Sequence, residues 1–169
     1  QEARFHSVAG LVQELAGGSP SAGRAEYAKA IELDPREAWA LDALGRIAVE
    51  EGRIAEAVEA FDRAAQASKD DPTPGLQAAR LLSRPGSPPE VAEARWKSLA
   101  KAFPWEVEPL RELAQRSLAR SDTEGALDYA QRALADLLPL RDILTSLFFI
   151  SIGMLFNTRA ALADPLLVA

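Results

Sequence analysis

Residues 38–71 read AWALDALGRIAVEEGRIAEAVEAFDRAAQASKDD, and this stretch decides the fold. Apolar and small residues recur in it at intervals of three and four. That is the spacing of one helix face, not the alternation of a strand. Leu41, Leu44, Gly45 and Ala48 make one face, and Ala57, Phe61 and Ala64 make a second. Gly52 falls between them, where a left-handed turn residue is needed. Small residues at Gly45 and Ala57 let two antiparallel helices approach closely, and Phe61 fills the space between this pair and the next.

Working outward, the same pattern returns with a period near 34 residues. Upstream, Tyr27, Ala30 and Pro35 stand at second-helix and exit positions, with a first helix expected over 4–16 and the loop GGSPSAG after it. Downstream, Leu76, Ala79, Ala92, Trp96 and Leu99 fill the corresponding sites of a third unit. There Arg80 replaces a small residue, and RPGSPP stiffens the turn, so a short first helix is expected. A fourth unit carries Leu110, Leu113, Ala114, Ala126, Ala130 and Ala133. The units span residues 4–37, 38–71, 73–104 and 107–136. Asp34-Pro35-Arg36-Glu37, Ser87-Pro88-Pro89-Glu90 and Ser121-Asp122-Thr123-Glu124 each pair a capping residue with a Glu three later, and they predict three capping boxes. One hairpin alone buries too little apolar area, so stacking stabilises the array.

The pattern of large and small residues in 38–71 resembles the tetratricopeptide repeat (TPR) family at nearly every defining position. The resemblance implies an all-α solenoid of helical hairpins whose first helices line a concave groove that holds a protein or peptide. Groove positions are then Trp39, Asp42, Arg46 and Val49 in the second unit, and Gln77, Leu81 and Arg84 in the third. In the fourth they are Glu108, Arg111, Gln115 and Leu118. Most such residues on any helix are merely solvated; Trp39, an aromatic at a groove position, is the best candidate anchor. TPR domains that clamp the acidic C-terminus of chaperones use Asn with Lys or Arg. The array has no Asn, since the only one is Asn157, and a basic or amphipathic partner fits better.

The bulk numbers narrow the function classes. In 169 residues, 48% are hydrophobic and the formal net charge is −6. Disorder is thereby excluded, and a nucleic-acid grip lacks its clustered cations. With no cysteine there is no disulfide frame, thiolate nucleophile or Cys-based zinc site. His6 is the single histidine, and Glu50-Glu51 and Asp70-Asp71 lie at helix ends, where solvated acids are common. Phosphate loops, nucleophile elbows and zinc signatures are missing. The chain is therefore expected to be no enzyme and to need no cofactor. It starts at Gln1, lacks the charged-then-apolar form of a signal peptide, and reads as an excerpt of something longer.

The last fifth changes solvent. All but four of the 44 charged residues precede Leu137; the exceptions are Arg141, Asp142, Arg159 and Asp164. Residues 143–156 run without a charge, short of the roughly 20 residues a span needs unless it is counted from Leu137. The order Pro139, Arg141-Asp142, Ser146-Leu147-Phe148-Phe149, Ser151, Gly153-Met154 resembles a stretch of the monovalent cation:proton antiporter family, the glutathione-gated potassium-efflux type included. That resemblance implies a transmembrane helix over part of 137–169, with cation and proton coupling only within a complete antiporter. A hydrophobic helix capping the solenoid is the competing expectation.

The sequence thus predicts an all-α TPR-type solenoid followed by a hydrophobic, membrane-crossing C-terminal helix. Its expected function is a protein-interaction scaffold, membrane-associated through 137–169 with the array in the cytoplasm. The alternative is a fragment of a cation:proton antiporter fused to a TPR module, naturally or by a chimeric junction. If the tail packs on the array, a wholly cytoplasmic protein is expected instead.

Overall fold

The computed structural model describes residues 1–135 and 145–148. Within them lie helices α1 (Glu2–Gly17), α2 (Arg24–Leu33), α3 (Ala38–Glu50), α4 (Ile54–Ala67), α5 (Thr73–Leu82), α6 (Pro89–Ala102), α7 (Val107–Ala119) and α8 (Thr123–Ala135). A 3₁₀ turn, Pro20–Gly23, leads into α2, and residues 145–148 add one helical turn. No strand occurs among the described residues. Each helix packs mainly on its neighbours in sequence, so the hairpins stack along one direction as a solenoid does. α5, ahead of the proline-rich turn, has only 10 residues against 13 in α3.

Pairs of one large and one small residue hold the hairpins closed. A Cβ built on Gly45 would lie 2.7 Å from the Phe61 ring, and one on Gly10 would lie 2.6 Å from the Tyr27 ring. Tyr27, Phe61 and Trp96 are all fully buried. Each contributes about 1.5–3 kcal/mol by leaving water. The cores form a series: Tyr27 and Ala30 pack with Ala40, Ala43 and Ile47, and Phe61 packs with Ala48, Ala57, Ala78 and Leu81. Trp96 and Leu99 then pack with Leu76, Ala79, Leu110 and Leu113. Arg80 does not occupy the small-residue position of this third hairpin. Ala79, fully buried beside Trp96, does so, and Arg80 reaches out to Glu108.

The capping expectation needs correction. α3 begins at Ala38, so Asp34 lies before the helix; its Oδ1 accepts from the Arg36 N–H at 2.9 Å and closes the preceding turn. α6 begins at Pro89 with Pro88 at its N-cap, and no side-chain cap bond forms there. At α8 the cap is Asp122, not Ser121: its Oδ1 accepts from the Gly125 N–H at 2.9 Å. Ser121 is instead held at φ +61°, the role Gly52 plays at φ +74° between α3 and α4. The two turns match, with Arg53 N–H donating to Ala48 O at 2.8 Å and Asp122 N–H to Ser117 O at 2.9 Å.

Among the described residues no helix is long and apolar enough to cross a membrane. The membrane helix expected over 137–169 lies outside the described residues except for 145–148, and so do Pro139, Arg141, Asp142, Phe149, Gly153 and Met154. Ser146 and Phe148 fall in the helical turn at 145–148, with Phe148 exposed.

Candidate functional site

The N-terminal ends of α3 and α5 and the α4–α5 loop border a common space. A cavity of about 380 Å³ opens there, lined by Glu37, Trp39, Asp42, Ser68, Asp71 and Pro74 among others. Three carboxylates face this space, and no Lys or Arg lines it. Trp39 stands half out of the surface at 44% exposure and edges the cavity.

Asp42 is the strained member. Burial pushes its carboxyl above the usual range, the nearby Asp71 adds to this, and Arg46 opposes it. Arg46 approaches Asp42 Oδ2 only at 3.4 Å, while Oδ1 is buried and accepts no hydrogen bond from the described residues. A buried acceptor without a donor costs about 1–3 kcal/mol, so Asp42 is held here at a cost to stability. Asp71 uses Oδ1 to accept from the Thr73 N–H at 2.9 Å, which fixes the loop ahead of α5.

Arg46 faces the same surface but is committed elsewhere. It donates to both carboxylate oxygens of Glu14, at 2.6 and 3.1 Å, and Tyr27 Oη donates to Glu14 Oε2 at 2.8 Å. The Arg46 hydrogen bond holds the Glu14 carboxyl below its ordinary value. Burial, followed by the Glu14 contact, pushes the Tyr27 phenol up to about 12. This group joins α1, α2 and α3 and positions the wall beside the cavity.

The other expected groove residues scatter. Leu81 is only 6% exposed and packs with Phe61 and Ala78, so it supports the core and is not open to a ligand. Val49 is half-buried against the same cluster. Gln77 is half-buried, whereas Arg84, Arg111, Gln115 and Leu118 are exposed. Arg111 sits near Glu112 at 3.6 Å, and Glu108 is held by Arg80. Only Trp39 and Asp42 of the expected set come together around a cavity. Glu37 and Asp71 complete it, and sequence reading missed them. The signal was present: both stand just ahead of a first helix, one repeat period apart.

Of the carboxylates and histidine weighed as catalytic candidates, His6, Glu50 and Glu51 have partners. His6 Nδ1 lies 2.6 Å from Glu26 Oε2, Glu51 is bound by Arg24 and Arg53, and Ser19 donates to Glu50 at 3.4 Å. Among the described residues no group of three His, Cys, Asp or Glu side chains could hold a metal.

No family model matches the chain, and no curated protein matches it. Solved structures do. The chain superposes on MamA with a TM-score of 0.68 at 15% identity, covering 83% of this chain and 81% of that one. The fold is a TPR-type solenoid. On PilF of Pseudomonas aeruginosa the TM-score is 0.57 at 19% identity, covering 81% of this chain and 61% of PilF. YrrB, described as a TPR protein with an unusual peptide-binding site, matches at a TM-score of 0.41 and 16% identity, over 75% of this chain and 81% of YrrB. At these identities the likeness is one of fold.

Proposed function

We propose that this chain is a non-catalytic protein-interaction scaffold whose groove, centred on Trp39, Asp42 and Asp71, takes a basic peptide or the basic face of a helix. The observation that carries the reading is the cavity itself. It is concave, lined by three carboxylates with no lining cation, and edged by an exposed indole. A Lys or Arg side chain there would stack on Trp39 and donate to Asp42 and Asp71. Such cation–π contacts are worth about 0.5–2 kcal/mol, and charge-assisted hydrogen bonds about twice a neutral one. Gln77, Arg111 and Gln115 would then contact a longer ligand farther along the face.

Display of random 12-residue peptides against the immobilised chain tests this. Recovered sequences should be enriched in Lys and Arg, and Trp39→Ala or the Asp42→Asn/Asp71→Asn pair should weaken their binding at least about tenfold. Recovery of acidic or uncharged peptides, or variants that bind as tightly as the parent, would sink the proposal.

From the charge-free run at 143–156 and its antiporter-like motif, we propose further that residues 137–169 tether the array to a membrane. The antiporter-fragment reading is the alternative for the same segment. Carbonate extraction of membranes from expressing cells distinguishes them from a free array. A chain released entirely by carbonate contradicts both, and tethering by 137–169 with no cation transport in vesicles leaves only the first.

A further inference from the structure

The outer face of α1 carries an apolar stripe that nothing among the described residues covers. Phe5, Val8, Val12 and Leu15 are 70, 50, 58 and 74% exposed, and their spacing puts them along one side of the helix. This face has a counterpart inside the array. Gly10 meets the Tyr27 ring as Gly45 meets the Phe61 ring, so α1 and α3 are in register at the 35-residue offset of these glycines. Phe5, Val8 and Val12 therefore correspond to Ala40, Ala43 and Ile47. Those three are fully buried, packed with Tyr27 and Ala30 of the preceding hairpin. α1 thus shows to solvent the face by which α3 receives the helix before it.

The opposite end of the array has the matching half. α8 keeps the register of the earlier second helices, with Ala126 buried as Ala57 and Ala92 are. Four residues after each of these stand Phe61, Trp96 and, in α8, the half-buried Ala130. Leu127 and Leu134 flank Ala130 and are 59 and 57% exposed. At the first two internal joints a large ring on the second helix meets small residues on the next first helix, as Tyr27 meets Ala40 and Ala43 and Phe61 meets Ala78, while at the third Trp96 meets Leu110 and Leu113. At the two ends the sizes are reversed: a small Ala130 on α8, and large Phe5 and Val8 on α1. The volumes remain complementary, and the joint is continuous with the one already built between successive hairpins.

We infer that α8 of one copy docks on the α1 stripe of a second copy, continuing the solenoid head to tail. Such a contact uses two different surfaces, so it does not close on itself and yields open chains that lengthen with concentration. The inference stands apart from the groove reading, since neither Trp39 nor Asp42 takes part.

Sedimentation velocity of the full chain over a range reaching on the order of 100 µM tests it. The expected result is concentration-dependent growth. Val8→Glu/Val12→Glu and, separately, Leu127→Glu/Leu134→Glu should each weaken association at least about tenfold by burying charge in the joint. Mixed together, the two variants each retain one intact end and should give a one-to-one dimer and nothing larger. All four positions are exposed, and circular dichroism confirms that the helices persist; Phe5→Glu/Leu15→Glu serves if the first pair unfolds. A chain that stays monomeric overturns the inference, as does a mixture that fails to pair. Association abolished only by Leu147→Glu/Phe148→Glu overturns it too, and assigns self-contact to the tail. Loss of peptide binding with assembly intact would refute the groove and leave the joint standing.

Discussion

Replacing Gly45 by Ala sets two physical effects against each other, and their sizes decide the sign. Helix propensity alone favours Ala by about 1 kcal/mol, because glycine loses the most backbone freedom on folding. The new methyl group, however, would lie 2.7, 2.8 and 2.9 Å from three carbons of the Phe61 ring. Ordinary carbon contacts are about 3.5–4 Å, so ring and helix must separate by about 1 Å. Phe61 has no room to yield, being fully buried among Ala48, Ala57, Ala78 and Leu81. Overpacking of this kind costs about 1–3 kcal/mol, which leaves Gly45→Ala destabilising by about 1 kcal/mol after the propensity gain. Urea unfolding followed by far-UV circular dichroism measures it. The double-mutant cycle with Phe61→Leu is the sharper version, because the smaller side chain frees the space and Gly45→Ala should then become neutral or stabilising. Equal effects in the two backgrounds, or a stabilised single variant, would refute the claim that this glycine is set by helix approach.

Three further outcomes are expected. Ser121→Gly should stabilise the array by about 1 kcal/mol, since Ser121 holds φ +61° where a Cβ is strained; thermal melting checks it. Glu93, held down to about 2 by hydrogen bonds from Arg120 and Lys97, has a folded-state pKa below its unfolded one. Its contribution is present above the ordinary carboxylate range and is lost as pH falls toward 2, so Glu93→Gln should flatten the stability curve across that window in acid titrations of urea midpoints. Asp42 is displaced the other way, its charged form disfavoured by burial. Asp42→Asn should therefore melt no lower than the parent at pH 7 while losing affinity for basic peptides, as expected where a site is maintained against stability.

The solenoid was legible because its signal is distributed. A large-with-small pair such as Gly45–Phe61 is required wherever two helices cross closely, and the repeat survives a misplaced position: the small partner of Trp96 is Ala79, where the sequence pointed to Arg80. Local chemistry was less legible. Ser87 and Glu90 have the spacing of a capping box, yet the successive prolines Pro88 and Pro89 start α6 without one, since no capping side-chain bond forms there. Ser121 looked like a cap by residue type, but the backbone needed a left-handed residue at that position and passed the cap to Asp122. Helix spacing put Trp39, Asp42 and Leu81 on one face; the first two line the cavity, whereas Leu81 is part of the Phe61 core. Glu37 and Asp71 belong to loops, so a helix-face rule could not reach them; their matching places in the repeat could. That Arg46 is bound by Glu14 rather than free for a ligand depends on how two hairpins stack, and no single repeat contains that information.

The three tryptophans report separately on the groove, the core and a turn. Trp39 edges the groove, Trp96 is fully buried between hairpins, and Trp105 is 63% exposed in the α6–α7 turn. Titration of the ¹⁵N-labelled chain with a selected Lys- or Arg-containing peptide reads each indole N–H separately. The Trp39 signal should move with saturation while those of Trp96 and Trp105 stay in place, and Asp42→Asn/Asp71→Asn should suppress the shift. A shift confined to Trp105, or saturable binding that leaves Trp39 unmoved, would contradict the groove reading.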